Sequence, residues 1–206
     1  IMPYLPSDQA AEHIFNIGRV FLRWGNVMSA NHVVHRLKEL SQPLSRALDY
    51  EVLLFNEERD AASKLYAAHE QWPDHTHRKQ IEILATQGKI PEAQLLLTRI
   101  ADEKLRRSAA AYLLYQQGQW QALEAQQPIT DEERKWQLLG LARRNLDIAG
   151  PLLLELQKKD SHDIPLLTAS MGYYAARNDD GKIQNLARLL TAALDRRVER
   201  LVIAMS

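Results

Sequence analysis

The sequence contains no cysteine, which excludes disulfides and any thiol-based metal or catalytic site. It also lacks net charge, because 26 Lys and Arg stand against 26 Asp and Glu. No basic excess therefore draws it from a distance to nucleic acid or to an anionic membrane. No apolar run reaches the roughly 18 residues that a membrane-crossing helix needs, and the opening IMPYLPSDQ has neither the basic nor the apolar region of a signal peptide. Sustained alternation of polar and apolar residues is missing too, so strands are not expected. What is there is ordinary for a folded chain: 46% hydrophobic and 25% charged residues over 206 positions. That excludes disorder and allows either one globule or a stack of repeats.

The stretch Arg78 to Ile100 shows how the chain is built. Ile81, Leu84 and Ala85 form an apolar stripe at helical spacing, Gly88 ends that helix, and Pro91 opens a second one carrying Ala93, Leu96, Leu97 and Ile100. Glycine suits a left-handed residue just past a helix end, and proline a first turn whose amide has no partner. The product is a helical hairpin, and the same reading applies along the chain. Ser7 caps a helix with Ala11, Phe15, Gly18 and Phe21 that ends near Gly25, and a partner with Ala30, Val34 and Leu37 stops before Pro43. A second pair runs through Leu48 and Tyr50, turns between Asn56 and Asp60, and closes at Trp72-Pro73; a fourth turns at Gln117-Gly118 and ends at Pro128. Thr130 and Glu133 match a capping box at the start of the fifth. Asp163 and Pro165 begin the sixth, which turns between Asn178 and Gly181.

With Gly25, Glu57, Gly88, Gly118, Asn145 and Asn178 taken as equivalent turn residues, the same chemistry recurs at fixed offsets. Seven before each turn stand Gly18, Tyr50, Ile81, Ala111, Leu138 and Met171, and four before stand Phe21, Leu53, Leu84, Leu114, Leu141 and Tyr174. Five after come Ala30, Ala62, Ala93, Leu123, Gly150 and Ile183. Apolar or small residues at all three offsets are what a hairpin needs to close on itself and on the next.

At these positions the sequence resembles the tetratricopeptide repeat family. Gly18, Phe21, Gly25 and Ala30 look like its full pattern, Gly88 with Ala93 repeats the second half, and Tyr50 with Ala62 is looser. The resemblance implies an all-α fold, a right-handed superhelical solenoid of about six antiparallel hairpins, forming a single unit over residues 1–206. The turn spacings of 32, 31, 30, 27 and 33 residues fall short of the family's roughly 34. Gly150-Pro151 in the fifth unit also sits where a second helix should be under way, so a shift of about three residues gives another register there. More distantly, the chain is similar to the periplasmic repeat region of bacterial Pel-type exopolysaccharide export scaffolds.

In the tetratricopeptide family the residues six, three and two before the turn often contact ligand on the concave face. Carried over, the resemblance implies Arg19, Leu22 and Arg23, then Glu51, Leu54 and Phe55, then Glu82, Ala85 and Thr86. The fourth unit gives Tyr112, Tyr115 and Gln116, and the fifth Leu139, Ala142 and Arg143. The polar and aromatic members are the candidate partner-binding residues, since arginine and aromatic side chains are enriched in binding hot spots.

Other features point to structure rather than chemistry. His32 and His35 supply only two ligands, and His69, His75 and His77 bracket a loop, so no metal site is assigned. Asp179-Asp180-Gly181 reads as a turn, and Gly88-Lys89 lacks the rest of a phosphate-binding loop. The acid pairs Glu57-Glu58, Asp102-Glu103 and Glu132-Glu133 are followed by Arg59, Lys104 and Arg134, which reads as neutralised surface. Trp24, Trp72, Trp120 and Trp136 are expected to pack between repeats.

No catalytic constellation and no cofactor are therefore expected. The expected function is a non-enzymatic scaffold that recruits proteins of an envelope secretion or exopolysaccharide export assembly in the bacterial periplasm. The alternative is a cytoplasmic chaperone or adaptor of the same fold. An RNA-binding repeat would need a basic concave face, which the charge balance disfavours. The start at Ile1 and the apolar run Val198, Leu201, Val202 and Ile203 before the final Ser206 suggest a segment of a longer protein, with a C-terminal helix that stacks on further repeats or self-associates.

Overall fold

The computed structural model describes residues 7–205, with side-chain environments from 9 to 194. Among these residues it has twelve α-helices and no strand. They are α1 (Ser7–Arg23), α2 (Val27–Leu40), α3 (Gln42–Phe55), α4 (Arg59–Ala67), α5 (Asp74–Thr86) and α6 (Ile90–Leu97). Then follow α7 (Glu103–Gln116), α8 (Trp120–Glu124), α9 (Asp131–Arg144), α10 (Leu146–Lys159), α11 (Ile164–Ala175) and α12 (Asp180–Met205). The fold is all-α, as expected, and consecutive helices pack on one another in the manner of a helical repeat. Two compact units divide the chain, residues 1–83 with 197–206, and residues 84–196.

In the first unit α1 packs on α2 and α3, α2 on α3, and α3 on α4. Gly18 permits a close approach: a Cβ there would lie 2.4 Å from Leu48 Cδ2, so a larger residue would displace the Leu48 side chain where α1 and α3 meet. Ala30, Leu37, Ala47, Leu48, Ala62 and Ile81 are fully enclosed, and burying a leucine or isoleucine among them stabilises the fold by about 1.5–3 kcal/mol. An aromatic cluster joins α3, α4 and the loop after it. Tyr66 stacks on Trp72 at 5.3 Å, Tyr50 lies 5.8 Å from Trp72, and the Trp72 indole donates to the carbonyls of Tyr66 (3.1 Å) and His69 (3.0 Å).

In the second unit α6 packs on α7, α7 on α8 and α9, α8 on α9, α9 on α10 and α11, and α10 on α11. The capping box forms with one change. Thr130 Oγ1 accepts from the Glu133 amide at 3.1 Å, but the Glu133 carboxylate reaches the amide of Ile129 at 3.1 Å and the Arg107 guanidinium at 3.1 Å. Gly150-Pro151 is accommodated inside α10, and the glycine is indispensable there, since a Cβ would sit 1.9 Å from the Tyr173 ring of α11.

The turn between paired helices repeats almost atom for atom. At Gly25, Glu57, Gly88, Gly118 and Asn178 φ is positive, between 53° and 77°. Each of these amides donates to the carbonyl three residues back, and the following amide to the carbonyl five back. For Gly88 the bonds are Gly88 to Ala85 (3.1 Å) and Lys89 to Leu84 (2.9 Å). This double closure satisfies helix-end carbonyls and reverses the chain into the next helix. Asn145 is the exception. It is extended, at φ −147°, and serves at once as the C-cap of α9 and the N-cap of α10, accepting from the Ile148 amide at 3.2 Å. One residue thus does the work of a turn, and the short spacing that leads to it follows mainly from the five-residue α8.

Candidate functional site

Two grooves open on the odd-numbered helices, one in each unit. The first, a cavity of about 270 Å³, is lined by Arg19, Leu22 and Arg23 of α1, Glu51, Leu54 and Phe55 of α3, and Lys79 of α5. Residues spaced three and four apart share one face of a helix, so the offsets six, three and two before each turn converge on the same side of α1 and α3.

Glu51 organises this groove. Only 6% of it is exposed, and its Oε2 takes the Arg19 guanidinium at 3.3 Å and the Lys79 ammonium at 3.0 Å. His75 Nε2 lies 3.5 Å from Oε1, and the His75 ring packs at 5.3 Å from that of Phe15. Burial lowers the His75 pKa to about 4, against the pull of Glu51 and with the help of Arg19 and Lys79. The imidazole is therefore neutral at pH 7 and leaves Glu51 to balance the two long cations. Arg23 is exposed and makes no ion pair or hydrogen bond among the described residues, so the groove keeps a surplus of positive charge beside the apolar Leu54 and Phe55.

The second groove, of about 360 Å³, joins Tyr115 of α7 to Leu139, Ala142 and Arg143 of α9, and to Ile164 and Thr168 of α11. Tyr115 is held by the rings of Trp120 at 5.3 Å and Trp136 at 5.2 Å. No acidic residue lines this groove. Arg143 is exposed and, like Arg23, makes no ion pair among the described residues.

The candidate residues distribute unevenly. Arg19, Arg23, Phe55, Tyr115 and Arg143 line a groove, as do Leu22, Leu54, Leu139 and Ala142. Glu51 lines one too, but as a buried counter-ion rather than an exposed contact. Tyr112 is a correction: only 6% exposed, it packs edge-on against Trp136 at 4.9 Å and belongs to the core. Glu82 pairs with Arg78 at 2.8 Å, and Gln116 is exposed; neither lines these grooves. Lys79 and His75 are not among the sequence candidates. Lys79 stands nine before Gly88, one helical turn further along the stripe than the family offsets reach.

Several of the remaining histidines and acids have structural partners, while His32 and His35 are exposed. His77 is buried against the Tyr66 hydroxyl, and His69 Nδ1 lies 3.2 Å from Arg46. Asp102 caps α7 through the Leu105 amide at 2.9 Å. Among the described residues no group of three His, Cys, Asp or Glu could hold a metal, and no helix is long and apolar enough to cross a membrane. Trp72 and Trp136 are buried and Trp120 half-buried, but Trp24 is 73% exposed, against expectation. The final apolar run Val198 to Ile203 has side chains outside the described residues, although α12 is helical through Met205. Comparison with known families, curated proteins and solved structures finds no match.

Proposed function

We propose that the protein is a non-enzymatic, tetratricopeptide-like scaffold that holds partner proteins on the faces of its odd-numbered helices. One observation carries this reading: the same three offsets build a groove in each of two separate units, each pairing apolar lining with an unpaired arginine. The favoured occupant is a protein segment that presents carboxylates next to apolar side chains. Arg23 and Arg143 meet the charge, while Phe55 and Tyr115 supply the rigid contact area on which hot spots rest. The envelope export setting rests on the sequence resemblance alone.

The test uses the chain as bait against envelope and cytosolic extracts, with Arg23→Ala and Arg143→Ala combined as control. Export-machine proteins retained from the envelope by the bait and lost by the control support the scaffold. Capture confined to soluble cytosolic clients points to the chaperone or adaptor alternative. Equal retention by both baits removes the grooves from the account. A purified partner peptide is expected to lose about tenfold in affinity on either substitution, or roughly 1.4 kcal/mol.

A further inference from the structure

The two grooves differ in charge. In the second, Arg143 stands with no acid among the lining side chains, one positive charge in all. In the first, Arg19, Arg23 and Lys79 stand against Glu51 alone, and the neighbouring His75 is neutral at pH 7. Three cations less one carboxylate leave two positive charges in one cavity of about 270 Å³. A single carboxylate from a partner neutralises the second groove but only half of the first.

The first groove also holds its cations in place before any anion arrives. Glu51, 6% exposed, fixes the Arg19 guanidinium through its Nε at 3.3 Å and the Lys79 ammonium at 3.0 Å. The terminal Nη1 and Nη2 of Arg19 make no hydrogen bond among the described residues. Phe15 backs that guanidinium at 5.8 Å, and the Arg19 and Lys79 side chains stay 32% and 33% exposed. Ordered groups lose less freedom on binding. Two arginines and a lysine offer more donors than the two oxygens of a carboxylate use. A phosphate monoester brings three terminal oxygens and a charge of about −1.5 to −2 at pH 7.

We propose that the first groove reads a phosphorylated serine or threonine of a partner segment. The phosphate sits between Arg19, Arg23 and Lys79, and the flanking apolar residues lie on Leu54 and Phe55. The inference rests on the groove being a docking site for a partner protein, and it makes phosphorylation of that partner the control on capture. The cavity falls below the roughly 300–1,000 Å³ of sites that enclose a free small ligand. That size suits one side chain of a segment lying across the groove better than a free nucleotide.

The test titrates the whole chain with the peptide acetyl-Gly-Leu-Ser-Leu-Gly-amide in three forms: serine phosphorylated, serine unmodified, and serine replaced by glutamate. Phosphoserine is expected to bind about tenfold tighter than glutamate, with unmodified serine weakest. In 15N spectra the guanidinium Nε–H signals of Arg19 and Arg23 should shift with the phosphopeptide. Arg23→Ala, a change at an exposed side chain checked for folding by circular dichroism, should cost the phosphopeptide about tenfold. Equal affinity for the phosphoserine and glutamate forms overturns the phosphate and leaves a carboxylate-docking groove standing. Inorganic phosphate binding as tightly as the phosphopeptide overturns the partner segment as occupant. Phosphopeptide binding with no shift at Arg19 or Arg23 overturns the assignment to this groove. Binding by none of the three forms overturns the proposal as well, while capture from extracts decides the scaffold reading separately.

Discussion

Glu51 and His75 show how a single buried charge governs its surroundings. The carboxylate is enclosed, so it needs cations at hydrogen-bond range, and Arg19 and Lys79 arrive from α1 and α5 to supply them. His75 sits among these charges and Asp74 but is kept neutral chiefly by burial, its pKa lowered to about 4. An unfolded histidine titrates near 6.5, so between about pH 6.5 and 4 the unfolded chain takes up a proton that the folded chain refuses. Stability contributed by His75 is therefore complete above pH 6.5 and falls as the solution is acidified through that window. Urea unfolding at pH 7 and pH 5 should show this loss in the native protein, and a smaller one in His75→Gln. An identical pH dependence in both would mean that the folded imidazole takes up its proton over the same range as the unfolded one.

At the scale of elements, the hairpin turn is the recurring unit, and its residues differ in how well they suit it. Gly88 adopts φ +75° with nothing within 4 Å of a would-be Cβ, so a side chain there meets backbone strain and nothing else. Glu57 holds a comparable φ of 63° with a side chain in place. A left-handed residue bearing a Cβ costs about 1–2 kcal/mol. Gly88→Ala should therefore destabilise by about 1 kcal/mol and Glu57→Gly should stabilise by a similar amount, both read from urea midpoints at unchanged slope. If the two substitutions shift stability in the same direction, the shared turn geometry is not what limits them. Asn145 lies outside this series, because it caps two helices in extended conformation.

For the whole molecule, charge decides how the proposed grooves should respond to salt. In the proposed reading the grooves act through Arg23 and Arg143 beside apolar lining. Between about 0.1 M and 1 M salt the screening length drops from about 10 Å to about 3 Å. Capture of an acidic partner should weaken over that range. Affinity unchanged by salt, followed by titration on one preparation, would remove the arginines from the account.

Much of this was legible beforehand because it is decided within a few residues of chain. Helix periodicity, the caps at Thr130 and Asp163, and five of the six turns depend on neighbours along the sequence, and no distant contact was needed to read them. The groove residues of α1, α3 and α9 were reachable for the same reason, since a helix fixes which residues share a side. Which side is covered is another matter, because that depends on the element lying across from it. Tyr112 and Tyr115 are three apart on α7, yet Trp136 encloses the first and the second lines a groove. Val20 matches Val52 and Leu113 in offset and chemistry, yet it is 37% exposed where they are 4% and 2%. The sequence by itself determined where helices begin, end and turn, since those bonds are local. Only the tertiary structure decided which faces are core, which carry paired charge and which stay open, because burial is a property of two elements at once.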